Sequence, residues 1–166
     1  HGVVSVANQR PRRYRAPYDA VASGMAMVTE DRKQNGLLLS QSIRQNMSLS
    51  SLKQFSWLGV TRSAPEAAAV RSLAESLGLK HNDMEQSVRE LSGGNQQKVM
   101  VGRWLAEQCK LLVLDEPFQG VDIKSRRDIG DKIRQTAGER ATIVFVAELD
   151  EALEIADRIV VMADHT

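Results

Sequence analysis

The last third of the chain carries three short strand-like runs, LLVLDE (Leu111–Glu116), TIVFV (Thr142–Val146) and RIVVM (Arg158–Met162), separated by segments of helical pattern. Runs of this length, apolar on both sides and alternating with helices, imply a parallel sheet covered on both faces. Asp122 is placed to cap the first intervening helix, which extends to about Ala137, and ELDEALEIA reads as the second.

The opening of the chain adds to the same sheet. VVSVAN (Val3–Asn8) reads as a strand, and the Arg-rich stretch after it (Arg10, Arg12, Arg13, Arg15) as a solvated loop. Pro17 starts a short helix with Gly24 as its stop signal, and MAMV (Met25–Val28) reads as a buried strand ending in the polar loop TEDRKQNG. From about Gly36 to Glu90 the texture changes to helix. Ala67, Val70, Leu73, Ala74 and Leu77 form one helical stripe closed by Gly78, while KQFSWLGVTRSAP before it reads as a connecting loop. The expectation is one α/β domain. Residues 1–28 and 110–166 form its sheet core, and residues from about 29 to 109 form a helical insert.

Bulk properties narrow the function classes. At 166 residues, 42% hydrophobic and 26% charged, the chain has the composition of an ordinary soluble globular domain. A net charge of +1 argues against a dedicated nucleic-acid binder. The single cysteine, Cys109, permits no intrachain disulfide and has no nearby histidine to activate it. No apolar stretch approaches the ~18 residues that a membrane-spanning helix requires, and the opening lacks the apolar core of a secretion signal.

The chemistry concentrates in two motifs. In LSGGNQQKV (Leu91–Val99), Ser92 is a helix cap, and Gly93 and Gly94 let a large anion approach the free N–H groups at the positive end of the helix. Alone, such a run is more often a turn and a cap. In LLVLDEP, Asp115 and Glu116 stand at the carboxyl end of a buried strand, where α/β folds bind their ligands. One carboxylate there can hold a magnesium ion while its neighbour polarises an attacking water.

LSGGNQQK followed by LLVLDEP resembles the signature and Walker B motifs of ABC transporter ATPases. FQGVD (Phe118–Asp122) resembles the family's D-loop, and ADRIVVM the strand that closes its sheet. MVTEDRKQNGLLLSQSIRQNMSL resembles the Q-loop region of the monosaccharide importers, whose ATPase fuses two cassettes, and EDRK with Asn95 looks like the second of them. The resemblance runs along essentially the whole chain. It implies an ABC-type P-loop NTPase fold, incomplete here: a parallel sheet with helices on both faces plus a helical insert carrying the signature motif. Glu116 is then the catalytic carboxylate, and Asp115 and Glu30 are metal ligands. Ser92, Gly93, Gly94, Asn95, Gln96, Glu30 and Asp122 contact the nucleotide. The implied cofactors are ATP and Mg2+. The implied partners are a second cassette, integral-membrane permease subunits and, indirectly, a periplasmic sugar-binding protein, with the chain peripheral on the cytoplasmic face of the inner membrane.

Several departures qualify this. Nothing matches the family's G-x-x-x-x-G-K-[ST] P-loop, which is expected to lie before His1, so the chain by itself is expected not to hold ATP tightly and to leave part of its core open. Glu30 stands where most of the family has glutamine, Ala147 where it has the switch histidine, and Phe118 where it has a small or polar residue. Glu148, beside Ala147, would repel phosphate. The groups that serve a partner's nucleotide look intact, and those that serve the chain's own look partly eroded, although Asp115 and Glu116 survive. The readings are an ATPase driving sugar import, a degenerate half that completes the partner's site, and a non-transport cassette. Near-neutral charge and EDRK count against the third. Phe55, Trp57 and Leu58 are candidates for a permease-facing surface, with burial in the core the ordinary alternative.

Overall fold

The structure, a computed structural model, describes residues 3–6, 10–106, 109–138 and 140–162. Helix α1 (Pro17–Ala22) leads through Gly24, at φ +86°, into strand β1 (Met25–Val28). The insert follows: a π-helical turn at Arg32–Gly36, α2 (Ile43–Ser48), α3 (Leu52–Phe55), the two-residue strands β2 (Ser56–Trp57) and β3 (Val60–Thr61), then α4 (Ser63–Ser76). A 3-10 turn at Val88–Glu90 precedes α5 (Gly93–Leu105). The chain then returns to the sheet as β4 (Leu111–Asp115), α6 (Ile123–Gln135), β5 (Ala141–Phe145) and α7 (Leu149–Ile155).

β1, β4 and β5 form a parallel sheet in the order β1-β4-β5, with Val28 beside Leu114 and Leu114 beside Val144. The whole insert is therefore the crossover between two neighbouring strands. Ala26, Val28, Leu112 and Leu114 point to one face and are buried with Val99, Met100 and Val101 of α5 and Ile129 and Ile133 of α6. The second face is less well covered: Leu111 and Val113 are half-buried, and Met27, Ile143 and Phe145 are 46–49% exposed.

α5 is the spine of the insert, buried from Gln96 to Arg103. Gly102 lets α2 and α4 close on it, since a Cβ there would stand 2.6 Å from Met47 Cε and 3.0 Å from Leu77 Cδ1. The α4 stripe packs as the period requires, with Val70, Ala74 and Leu77 buried. Glu66 shares that face because Ser48 Oγ (2.7 Å) and Arg44 Nη1 (2.9 Å) bond its two oxygens.

Four expectations need correction. Val3–Asn8 is not a strand over its described part. Val4 makes a single bridge to Arg12, and residues 7 and 8 lie outside the described residues. Arg158–Met162 is not one either: no ladder joins it to the sheet, and Val160–Met162 are 72–78% exposed. An apolar run becomes a strand only beside a neighbour that offers backbone partners. TEDRKQNG contains the π-helical turn rather than a plain loop, because the Asp31 carboxylate accepts from Lys33 and Gln34 N–H and starts it. The Lys53–Pro65 segment holds the end of α3, a small hairpin turning at Leu58 and Gly59, and the start of α4. At its tip Trp57 and Leu58 are exposed, against the core reading, while Phe55 is half-buried.

Candidate functional site

The first wall of the site is the amino end of α5. Ser92 sits outside the helix at φ −61°, ψ 159°, its Oγ accepting from the Asn95 N–H at 3.5 Å and from Asn95 Nδ2 at 3.0 Å. Asn95 Oδ1 in turn accepts the Lys80 N–H at 3.0 Å, tying the cap to the start of the connection that follows α4. Ser92 is exposed, and Gly93 and Asn95 are half-buried. A cavity of about 310 Å³ opens beside Ser92 and Asn95, also lined by Lys80, His81 and Glu90.

Two residues of the motif turn inward. Gly94 is buried against α6: a Cβ there would lie 2.7 Å from Ser125 Oγ and 3.1 Å from Asp122 Oδ2. Gln96 is buried, its Nε2 donating to the Val88 carbonyl at 3.1 Å. Of the run from Ser92 to Gln96, then, Ser92, Gly93 and Asn95 reach the surface, and Gly94 and the Gln96 side chain lie beneath it. Helical spacing carried this signal, since Gln96 lies three, four and seven residues from the buried Val99, Met100 and Arg103.

The second wall is the end of β4. Asp115 closes the strand, paired with Phe145, and Glu116 turns the chain at φ +46°. A left-handed non-glycine residue at a strand end is a strained arrangement that clusters at functional sites. Glu116 N–H donates to the Phe145 carbonyl at 3.0 Å, and Gln119 N–H to the Glu116 carbonyl at 3.2 Å. Burial pushes the Glu116 carboxyl above the ordinary range, with the negative charges of Glu151, Glu30 and Asp115 adding to the shift, while the Ala147 backbone N–H opposes it. So Glu30, Asp115 and Glu116 share one electronegative corner. Ala147 stands at that corner, where the resemblance expects a histidine.

Glu151, in the first turn of α7, was not singled out from the sequence. It faces Arg126 of α6 at 3.4 Å as well as Glu116. Its neighbour Glu148 drew attention instead, yet Glu148 is exposed and makes no side-chain bond at the start of α7.

Asp122 is exposed, but its carboxylate is engaged: Oδ1 accepts from the Ser125 N–H (3.0 Å) and Oδ2 from Ser125 Oγ (2.7 Å), which hold it below the usual carboxylate range. Phe118 is buried in the core, which explains a large apolar residue in this loop. Among the described residues no three His, Cys, Asp or Glu side chains converge on one point. Asp115 and Glu30 could supply the one or two carboxylates that magnesium takes beside phosphate oxygens and water.

The walls are adjacent. A Cβ on Gly93 would meet the Gly120 carbonyl at 3.3 Å, so the end of α5 rests on the loop that Glu116 begins.

Residues 2–119 match the family model described as ABC transporter. The chain belongs to that family. It is 42% identical over 154 residues to the ribose import ATP-binding protein RbsA of Geobacillus kaustophilus, covering 92% of this chain and 31% of that protein. It is 41% identical over 165 residues to a putative ribose/galactose/methyl galactoside import ATP-binding protein of Rhizobium etli, covering 98% of this chain and 31% of that one. The chain thus spans less than a third of the length of these relatives. Its fold matches a dimeric ATP-binding cassette in a post-hydrolysis state bound to ADP and Pi, with TM-score 0.75, 18% identity, and 93% and 66% of the two chains covered. It also matches a bacterial Atm1-family ABC exporter with ATP bound, with TM-score 0.62, 21% identity, and 81% and 23% covered. The architecture is the ABC-type α/β fold. No helix among the described residues is long and apolar enough to cross a membrane.

Proposed function

We propose that the chain is part of the ATP-binding subunit of a sugar importer, on the cytoplasmic face of the inner membrane against permease subunits that receive sugar from a periplasmic binding protein. Ser92, Gly93 and Asn95 present the positive end of α5 to the triphosphate of a second cassette. Asp115, with Glu30 near it, holds Mg2+ beside the chain's own nucleotide, and Glu116 is the general base toward water. Gly94 and Gln96 support the first wall from inside, and Asp122 caps α6 beside it. Residues 1–28 and 110–166 act as the sheet core and residues 29–109 as the insert that meets the partners.

The observation that carries this reading is Glu116. It is a strand-end carboxylate in a left-handed conformation, with its proton affinity raised by burial and by neighbouring acids. A base poised upward in this way, in a cluster that a divalent cation would neutralise, is the arrangement that phosphoryl transfer to water needs. Ala147 favours a narrower version, because a methyl group beside Glu116 cannot bond a γ-phosphate. We infer that this half mainly completes the partner's site and turns over little ATP itself, and that the isolated chain is inactive.

ATP turnover of the intact polypeptide tests both levels. Gly93→Val, whose side chain would keep a phosphate from the backbone N–H groups, should lower it by about 100-fold or more, the size of loss seen when preorganised anion donors cannot act. Glu116→Gln should cost less than about tenfold, far below the ~10²–10⁴ that a working general base supplies. Complete loss in Glu116→Gln would return the hydrolytic role to this half. Normal turnover in Gly93→Val would remove the nucleotide-site reading altogether.

A further inference from the structure

Arg32 opens the π-helical turn, but its side chain leaves that turn. Nη1 donates to the carbonyl of Gln119 at 2.9 Å, across 87 residues of sequence. Nη2 lies 3.0 Å from where a Cβ on Gly93 would stand and 3.6 Å from the same point on Gly120. Its Nε is buried with no acceptor. The guanidinium thus fills the gap between the amino end of α5 and the loop that follows Glu116.

The rest of the turn belongs to α5. Arg103 of α5 donates to the Gly36 carbonyl, and any Cβ on Gly36 would collide with Met100 Sδ. The turn rides on the helix, and Arg32 crosses from that body to the Pro117–Val121 loop. A second, weaker crossing runs beside it, from Gln119 Nε2 to Glu30 Oε1 at 3.2 Å.

Helix stability does not explain this placement. Cations are favourable at the carboxyl end of a helix and unfavourable at its amino end, and a buried N–H without an acceptor is a further cost. What the arrangement supplies is spacing. The planar fork commits one nitrogen to a carbonyl and lays the other between two glycine backbones, which the single ammonium of a lysine cannot do. Both Gly93 and Gly120 leave room for it.

We propose that Arg32 is a positioning residue that sets the spacing between the amino end of α5 and the loop begun by Glu116, so that the wall offered to a second cassette's nucleotide and the wall beside the chain's own nucleotide keep one register. Its readout rests on the nucleotide-site reading above. Arg32 does not touch nucleotide. It acts through Gly93 on one side and the Gln119–Gly120 backbone on the other.

The test measures ATP turnover against ATP concentration in the intact polypeptide for Arg32→Gln and Arg32→Lys, with Gly93→Val alongside, and thermal unfolding of each. Arg32→Gln should lower kcat about tenfold, roughly 1.4 kcal/mol of barrier, with KM for ATP changed less than about threefold and the unfolding temperature unchanged. Arg32→Lys should recover less than half of the lost kcat. An unchanged kcat, a loss that tracks the unfolding temperature, or full rescue by lysine would overturn the proposal. If Gly93→Val is silent while Arg32→Gln is fully active, only the role of Arg32 falls. If both are fully active, the nucleotide-site reading falls with it.

Discussion

The two walls of the site meet at Gly93 and Gly120, yet they are supported in opposite ways. Behind the amino end of α5 stands a buried, largely satisfied polar lattice. Gln96 bonds Val88, Lys98 bonds Asp128 and the Gly78 carbonyl, and Arg103 bonds Asn46 and Gly36. Around Glu116, by contrast, Glu30, Asp115 and Glu151 add negative charge to negative charge, although Arg126 stands 3.4 Å from Glu151. The first wall is held in place before any ligand arrives. The second carries repulsion that a bound cation would relieve. Preorganised donors belong where an anion is received, and unneutralised carboxylates where a metal is received. Removing a supporting group should therefore destabilise the first wall, whereas removing a charge should stabilise the second.

The largest stability effect is expected at Arg103. Its side chain is buried, and burial lowers its pKa to about 10. Its donors reach the Asn46 carbonyl at 2.8 Å, Asn46 Oδ1 at 2.9 Å and the Gly36 carbonyl at 2.5 Å. Arg103→Leu keeps an apolar stem and withdraws the donors from the Asn46 and Gly36 carbonyls, while Asn46 Oδ1 keeps the Leu38 N–H, for a loss of about 3 kcal/mol. Urea unfolding checks it: the midpoint should fall with the slope unchanged. A loss below about 1 kcal/mol would mean that the first wall does not depend on the lattice behind it.

Neither Arg103 nor Arg32 was legible beforehand, and the reason is physical. Their acceptors lie 57 to 87 residues away and are mostly backbone carbonyls, which leave no pattern in the side-chain string. What could be read is local. The Met25–Val28 and Leu111–Asp115 strands follow from short apolar runs, and the starts of α5 and α6 follow from caps at Ser92 and Asp122. The glycine run and the acid pair were visible as chemistry because each is contiguous. The sidedness of the glycine run is not legible, because a motif names residues without saying which face of the helix they occupy, and Gly94 and Gln96 turn out to be buried. The apolar run at Arg158–Met162 misled for a related reason: a composition that suits a strand does not supply the strand's neighbour.

Lys98 sharpens the comparison at smaller scale. Its Nζ lies 2.6 Å from Asp128 Oδ2 and 3.0 Å from the Gly78 carbonyl, with the lysine side chain 4% exposed and the aspartate side chain 29% exposed. It joins α5 to α6, the helix on which Gly94 rests. Lys98→Met should cost about 1–2 kcal/mol, less than Arg103→Leu, because Asp128 can regain water once its partner is gone. Adding Asp128→Asn should cost little more than Lys98→Met alone, and a double-mutant cycle on unfolding free energies reads that coupling.

The smallest effect has the opposite sign and bears most directly on the second wall. The Glu116 carboxyl is raised above its ordinary value by burial and by Glu151, Glu30 and Asp115. A group whose folded pKa is raised binds its proton more tightly in the folded state, so its contribution is fully present below the ordinary glutamate pKa, about 4.3. That contribution is lost as pH rises through the raised value. At neutral pH, then, ionised Glu116 opposes folding. Glu116→Gln should raise the unfolding temperature at pH 7 by about 1 °C, a small figure because solvent screens most of the repulsion. At a pH near 4 the two proteins should unfold together. Magnesium with nucleotide should narrow the difference at pH 7, since a cation in the corner offsets the same charge. If Glu116→Gln instead lowers the unfolding temperature at pH 7, the carboxylate is a structural anchor like Arg103, and the two walls are built alike after all.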